Sequence, residues 1–426
     1  MSPPRSARHR RPRTKRRFRM ATSLPVGRLL AVVMIIVLAV AYVVIQLVRP
    51  VPAVAATAHT ISATMPGSAS PLAWPVHGEA AISVEGTGFL ATHGAQTPTP
   101  LASVAKLMTA YVVLHDHPIT GTSPGPNIPI TPADITTYQQ DLATGDSVVS
   151  VQVGEQLSEL QALEALLIPS GDNIASLLAS WDAGSEAAFV TKMNAAAKQL
   201  GLANTHYTDA SGVAPGTVST AASQVRLALV DMKMPTFRHI VSMAQVTLPV
   251  AGLQYNVNAL LGKDGIVGVK TGFTTTAGGC FVFAARTTIG GKTKTLVGAV
   301  LRQFGTVAQP SALTSAFDAA TTLITSADHA LAEATVIRKG QTLGQLSAPW
   351  TTAVGMQATR TVTLVGLPGQ HVTTTVVLAN KIAAPVPGAT RIGTAVVETG
   401  DQRVTVPLVT SRLLPAASLS WRLTHL

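Results

Sequence analysis

Residues 100–114 read PLASVAKLMTAYVVL, and residues 265–279 read GIVGVKTGFTTTAGG. The first stretch opens on Pro100 and runs into apolar sequence, which predicts a helix over Ala102–Leu114. Ser103 and Lys106 stand three apart there and share a face, so the lysine amine can reach the serine hydroxyl. A buried lysine loses its proton readily and can then serve as general base for a serine nucleophile. Pro100 just ahead of the helix puts Ser103 near the positive end of its dipole, where an oxyanion is stabilised. The second stretch predicts a strand over Gly265–Val269 that ends in Lys270-Thr271-Gly272. An ammonium, a hydroxyl and an approachable backbone in that order suit the docking of a carboxylate beside an extended peptide.

A third element lies between them. Leucines at helical spacing over Gln156–Ile168 predict a helix that stops at Pro169, and Ser170-Gly171-Asp172-Asn173 follows at once. It offers a hydroxyl and an amide or carboxylate on a turn. Taken singly, each motif has an ordinary reading: a solvated helix face, a strand end at a glycine turn, a helix cap. In this order, with separations of 67 and 100 residues, the three are far more specific. They match the pattern S-x-x-K, a middle Ser/Asn motif and K-T-G of serine acyl-enzymes that recognise β-lactams.

On those residues the chain resembles the low-molecular-mass penicillin-binding proteins, the serine-type D-alanyl-D-alanine carboxypeptidase family. The resemblance extends to LMTAYVV after Lys106, Gly154-Glu155, MNAAAKQLGLANTHYTDASGV (Met193–Val213), KTGFTTTAGGC (Lys270–Cys280) and the C-terminal GATRIGTAVVETGDQRVTVPLVT, so it covers about residues 75–426. It implies an α/β catalytic domain of the β-lactamase/transpeptidase type, a sheet flanked by helices with a helical portion, followed by a small all-β domain. It also implies the roles. Ser103 would attack the D-Ala-D-Ala carbonyl and Lys106 would accept its proton. Ser170 would relay a proton to the leaving D-alanine, and Lys270 and Thr271 would hold the terminal carboxylate. The amides of Ser103 and Phe273, beside Gly272, would form the oxyanion hole. The substrate would be the peptidoglycan stem peptide, β-lactams would be inhibitors, and no cofactor or metal would be needed.

One position departs from the family pattern, which is Ser-x-Asn: here Asp172 occupies the third place and Asn173 the fourth. A carboxylate cannot donate to substrate, and it would favour a charged Lys106, a poorer base. Either Asn173 takes over through a shifted turn, or Asp172 is tolerated beside two lysines, or turnover is reduced. The unbroken Ser170-Gly171 spacing favours Asp172. Two rivals follow: a β-lactamase-type hydrolase and a weakly catalytic or non-catalytic penicillin-binding scaffold. Against the first, no acid between Ser170 and Lys270 sits in a pattern that would activate a deacylating water.

Composition sets the frame. The 426 residues are 47% hydrophobic and 12% charged, too apolar for a disordered polyelectrolyte and long enough for two domains. Cys280 is the only cysteine, which excludes an internal disulfide framework and a Cys-based zinc cluster. The net charge of +11 is confined: residues 1–28 hold ten Lys/Arg and no acid, whereas residues 51–426 hold 20 of each sign. A basic nucleic-acid face is therefore not indicated. The tail runs into Leu29–Val48, twenty residues without charge, long enough to cross a ~30 Å hydrocarbon core. Positive charge stays cytoplasmic, so the rest is exported from a bacterial cell and the lipid bilayer is a partner through Leu29–Val48. The competing reading is a signal peptide cleaved near Ala55, at Ala53-Val54-Ala55.

The expected organisation is a basic tail (1–28), a transmembrane helix (29–48), a Pro/Ala/Ser/Thr tether (49–72), the catalytic domain (73–327) and the β domain (330–426). A strand over Ala80–Leu90, helices over Glu186–Leu200 and Ser311–Ile324, and strands over Cys280–Ala285 and Thr295–Leu301 around a Gly290-Gly291 turn complete the catalytic region. Short β-branched segments, the last at Ser418–Leu423, build the C-terminal one. Gly290-Gly291-Lys292-Thr293 lacks the first glycine of a phosphate loop, and His115-Asp116-His117 reads as a solvated helix end rather than a metal site.

Overall fold

The computed structural model describes residues 26–58, 60–67, 70–120, 123–305, 311–379, 382–400 and 402–425. Most of the basic tail, residues 1–25, lies outside the described residues. Helix α1 (Val26–Val48) has a mean hydropathy of 2.9 over its most apolar window. Its valines, leucines and isoleucines are exposed on every side, and only Gln46 is buried. A helix apolar all round whose side chains stay exposed along its length is suited to lipid.

The catalytic region is built on a five-stranded antiparallel sheet: β1 (Glu79–Val84), β2 (Leu90–His93), β3 (Ile266–Thr274), β4 (Gly278–Ile289) and β5 (Lys292–Gln303), in the order β3-β4-β5-β1-β2. β4 and β5 are twelve residues each and turn at Gly290-Gly291, both at positive φ, which only glycine adopts freely. Both faces of β4 are buried, hence its near-continuous apolar run. Helix α9 (Ala312–Ala330) packs Ala316, Phe317, Ala320, Leu323 and Ile324 onto one face. The other face meets a helical body: α2 (Lys106–Asp116), α3 (Pro132–Thr144), α4 (Glu159–Leu167), α5 (Asp172–Ala183), α6 (Glu186–Gln199), α7 (Ala221–Asp231) and α8 (Pro235–Val241).

The expected helix over Ala102–Leu114 divides. Ala102–Ala105 is a 3-10 turn and α2 starts only at Lys106. Likewise Gln156–Ser158 is a short strand, and Ser158 caps α4 by accepting from the Gln161 amide.

The C-terminal region holds a seven-stranded sheet whose inner strands are Thr342–Ala348, Thr351–Ala358, Gln402–Thr410, Arg391–Thr399 and His371–Leu378. Its two edges correct the reading of residues 49–72 as a tether. Ala55–Ala58 pairs with Thr342–Ala348 along one edge, and Ile61–Thr64 pairs with His371–Leu378 along the other. Open edges present unpaired N–H and C=O groups that any extended backbone can satisfy, so Ala- and Thr-rich chain is recruited without a hydrophobic signal. Ala58 and Ile61 are separated by at most ~11 Å of extended chain, so the sheet curls until its two edges almost meet. A second correction concerns Ser418–Leu423, expected as a strand. It is helix α10 (Leu419–Thr424), because Ser418 caps the turn by accepting from the Trp421 amide.

Candidate active site

The 3-10 turn carries Ser103 between buried neighbours: Leu101, Ala102, Val104 and Ala105 are buried, and Ser103 alone is half-exposed. One helical step on, Lys106 is fully buried and its ammonium has three partners. It donates to Ser103 Oγ at 2.9 Å, to Asp172 Oδ1 at 2.5 Å and to the Ser211 carbonyl at 3.3 Å. These account for all three N–H bonds of the side chain.

The middle motif sits where α4 gives way to α5. Ser170 is held at φ 71° and Gly171 caps α5, so Asp172 enters the first turn of that helix and faces Lys106. Its Oδ2 accepts the Ser147 amide at 2.9 Å. Asn173 points elsewhere. Its Oδ1 accepts the Val149 amide at 3.0 Å and its Nδ2 donates to the Val149 carbonyl at 2.9 Å, pinning the loop before α4. Of the two residues left open by the sequence, Asp172 is the one at Lys106.

β3 closes the site. Lys270 is buried and donates to Ser170 Oγ at 2.9 Å and to the Thr271 carbonyl at 3.0 Å. Burial pushes the Lys270 ammonium well below the ordinary lysine range, and the charge on Lys106 pushes it the same way, while the Asp172 carboxylate pulls it back. A Cβ at Gly272 would lie 3.0 Å from the Ser103 amide nitrogen, so a bare backbone there lets β3 run against the serine turn. Phe273 follows, half-exposed at the mouth. The structure therefore brings together Ser103, Lys106, Ser170, Asp172, Lys270 and Gly272, and leaves Asn173 as a loop anchor. Two lysines and one carboxylate share this enclosed space.

Sequence reasoning missed the loop that backs the serine turn. Asp209 Oδ2 accepts from Ser211 Oγ (2.7 Å) and from the amides of Gly212 (2.7 Å) and Val213 (2.9 Å), and its Oδ1 accepts from Thr217 Oγ1. That fixes the Ser211 carbonyl on Lys106. Gly212 sits at φ 88°, and a Cβ there would fall 1.9 Å from the Ala102 carbonyl oxygen. The available signal was Asp209-Ala210-Ser211-Gly212, an acid before a Ser-Gly turn. Gly212→Ala is expected to displace the serine turn and slow acylation by about 10²-fold, since ~1 Å of misplacement costs that much. Acylation kinetics beside far-UV circular dichroism will separate this from global unfolding.

A family model described as D-alanyl-D-alanine carboxypeptidase, peptidase family S11, matches residues 68–303. The chain belongs to that family. Among S11 relatives, a D-alanyl-D-alanine carboxypeptidase of Streptomyces sp. strain K15 is 35% identical over 235 residues, covering 51% of this chain and 77% of its own. A D-alanyl-D-alanine endopeptidase of Pseudomonas aeruginosa is 32% identical over 236 residues, 54% of this chain and 72% of its own. Among solved structures, the Streptomyces K15 DD-transpeptidase aligns with a TM-score of 0.50 at 29% identity, over 62% of this chain and 98% of its own. Penicillin-binding protein 5 of Haemophilus influenzae aligns with a TM-score of 0.59 over 83% of this chain and 100% of its own; at 18% identity it speaks for the fold alone. This S11 chain thus shares the transpeptidase-like fold, with a C-terminal β region beyond the matched segment.

Proposed function

We propose that the protein is a penicillin-sensitive serine D-Ala-D-Ala carboxypeptidase that removes the terminal D-alanine from peptidoglycan stem peptides. In this reading Ser103 Oγ attacks the carbonyl of the D-Ala-D-Ala bond as its proton passes to Lys106. The developing oxyanion lies between the amides of Ser103 and Phe273. Ser170, held by Lys270, relays the proton that Lys106 took from Ser103 to the leaving D-alanine, whose carboxylate is taken by Lys270 and Thr271. Water then attacks the ester, and Ser103 recovers its proton. A β-lactam enters as the substrate does and leaves Ser103 acylated.

The observation that carries the reading is the 2.9 Å contact between buried Lys106 and the single half-exposed side chain of the serine turn. Its test is intact mass after exposure to benzylpenicillin. One penicilloyl adduct is expected, mapped to Ser103, and none on Ser103→Ala. An adduct that survives this substitution sinks the assignment. Because relatives carry both carboxypeptidase and endopeptidase names, a D-Ala-D-Ala peptide and a crosslinked dimer should be assayed side by side.

We place the enzyme on the outer face of a bacterial membrane, with α1 as a single-pass anchor. Protein from membranes is expected to resist carbonate extraction and to keep its N-terminal tail. A soluble exported form beginning near Ala56 would establish cleavage instead.

A further inference from the structure

The end of the chain lies against the end of α1. Tyr42 Oη donates to the Leu423 carbonyl at 2.9 Å, and Arg422 Nη1 donates to the carbonyls of Leu47 at 2.8 Å and Arg49 at 3.5 Å. Carbonyls in the last turn of a helix have no partner within it, and a cation there also meets the negative end of the dipole. α10 is thereby seated where α1 runs out of apolar sequence.

Aromatic rings extend the contact. Trp421 stacks on His425 (centroids 4.8 Å apart, planes at 14°) and meets Trp350 edge-on at 5.5 Å. The Trp350 indole donates to the Pro415 carbonyl at 2.7 Å. The Trp421 indole N–H, in contrast, is closed off from solvent and has no acceptor. A buried donor without an acceptor is costly unless something supplies one. Beside it opens a cavity of about 400 Å³, lined by Gln46, Arg49, the Pro50–Pro52 segment, Trp421, Arg422 and His425. No acidic side chain lines it among the described residues. Two permanent cations, Arg49 and Arg422, therefore line one cavity at the end of the apolar helix α1.

We propose that this cavity holds the phosphate headgroup of an anionic phospholipid from the outer leaflet. The proposal rests on the reading of α1 as a retained anchor. Phosphodiester oxygens would accept from the guanidinium groups of Arg49 and Arg422. The acyl chains would then run down the exposed apolar surface of α1. Trp421 and Trp350 sit at the depth that indole rings favour, with an apolar body and a polar edge. A headgroup bound there would tie α1, α10 and the sheet edge at Ala55–Ala58 to one point on the membrane.

The test uses the full chain, purified from membranes in mild detergent and examined by native mass spectrometry during titration with phosphatidylglycerol or phosphatidylcholine. Intact mass first reports whether residues 1–55 remain. One phosphatidylglycerol is expected to be retained more tightly than phosphatidylcholine, and millimolar inorganic phosphate is expected not to displace it. Arg49→Gln should weaken retention about fivefold and Arg49→Gln with Arg422→Gln about twentyfold, from ~1 kcal/mol per basic residue near a charged surface. Benzylpenicillin acylation should not change in Arg49→Gln, since Arg49 lines the cavity at the end of α1 and not the serine site. Equal retention of the two lipids, indifference to Arg49→Gln, or displacement by free phosphate each overturns the proposal while leaving the anchor intact. A mature chain that starts near Ala56 lacks Gln46, Arg49 and Pro50–Pro52, and ends both readings together.

Discussion

Lys106→Ala is expected to slow acylation by benzylpenicillin at pH 7 by about 10³-fold or more, because an unassisted serine hydroxyl is a weak nucleophile and members of a catalytic unit fail together. It should also destabilise the fold. Lys106 is fully buried and its removal leaves Asp172, about 6% exposed, without its cation. Removing one partner of a buried pair costs roughly 3–5 kcal/mol. The double substitution Lys106→Met with Asp172→Asn removes both charges and should recover most of that loss in thermal unfolding, while acylation stays absent. Recovery of stability without recovery of acylation separates Lys106 as base from Lys106 as ion-pair partner. A single variant that acylates within tenfold of wild type would remove Lys106 from the mechanism.

The second large effect runs the other way. The Asp172 carboxylate, 2.5 Å from the Lys106 amine, competes with Ser103 for it. Asp172 is also the only carboxylate hydrogen-bonded to either lysine among the described residues. Asp172→Asn removes the carboxylate hydrogen-bonded to Lys106 and leaves Asp141, raised to about 6 chiefly by burial, as a more distant charge felt by that lysine. Burial and the charge on Lys106 already depress Lys270, and the Asp172 carboxylate is what opposes them. Losing that opposition pushes Lys270, the donor to Ser170, further down, while Lys106 keeps Ser103 without a competing carboxylate. Acylation at neutral pH should rise about tenfold or more. Asn173→Ala is expected to leave acylation nearly unchanged and to lower stability by about 1–3 kcal/mol, since it frees two buried backbone groups of Val149. If Asn173→Ala cripples acylation and Asp172→Asn is silent, the assignment of Asp172 to the site is wrong.

Much of this site was legible because three short motifs fix side chains on elements whose periodicity is strong. Ser103 and Lys106 lie three apart on one helical path whether the turn is 3-10 or α, so the misjudged helix start did not disturb their contact. Lys270 was readable for a similar reason: the glycines around it mark close backbone approaches, and Gly272 indeed abuts the Ser103 amide. What could not be read were contacts that depend on chain brought from far away. Spacing alone leaned to Asp172 over Asn173; what fixes the choice is how Gly171 opens α5, with Ser147 and Val149 waiting as backbone partners. Asp209 serves mostly backbone amides, which leave no trace in side-chain pattern. The strands at Ala55–Ala58 and Ile61–Thr64 were invisible because they are chosen by open sheet edges rather than by their own apolar alternation.

Those two strands impose an order on folding. Ala55 meets Ser347 and Ile61 meets Thr374, so residues 55–64 must wait for strands that lie beyond the whole catalytic region. A chain crossing the membrane from its N-terminus folds early domains first, and pairings this remote in sequence form late. The catalytic domain can therefore mature while residues 55–64 are still unpaired, and the C-terminal sheet then closes around them. Until that moment the Ala53-Val54-Ala55 segment is open to a processing peptidase; afterwards Ala55 is locked in a ladder. Access to that segment thus depends on how soon residues 342–348 arrive to pair with it.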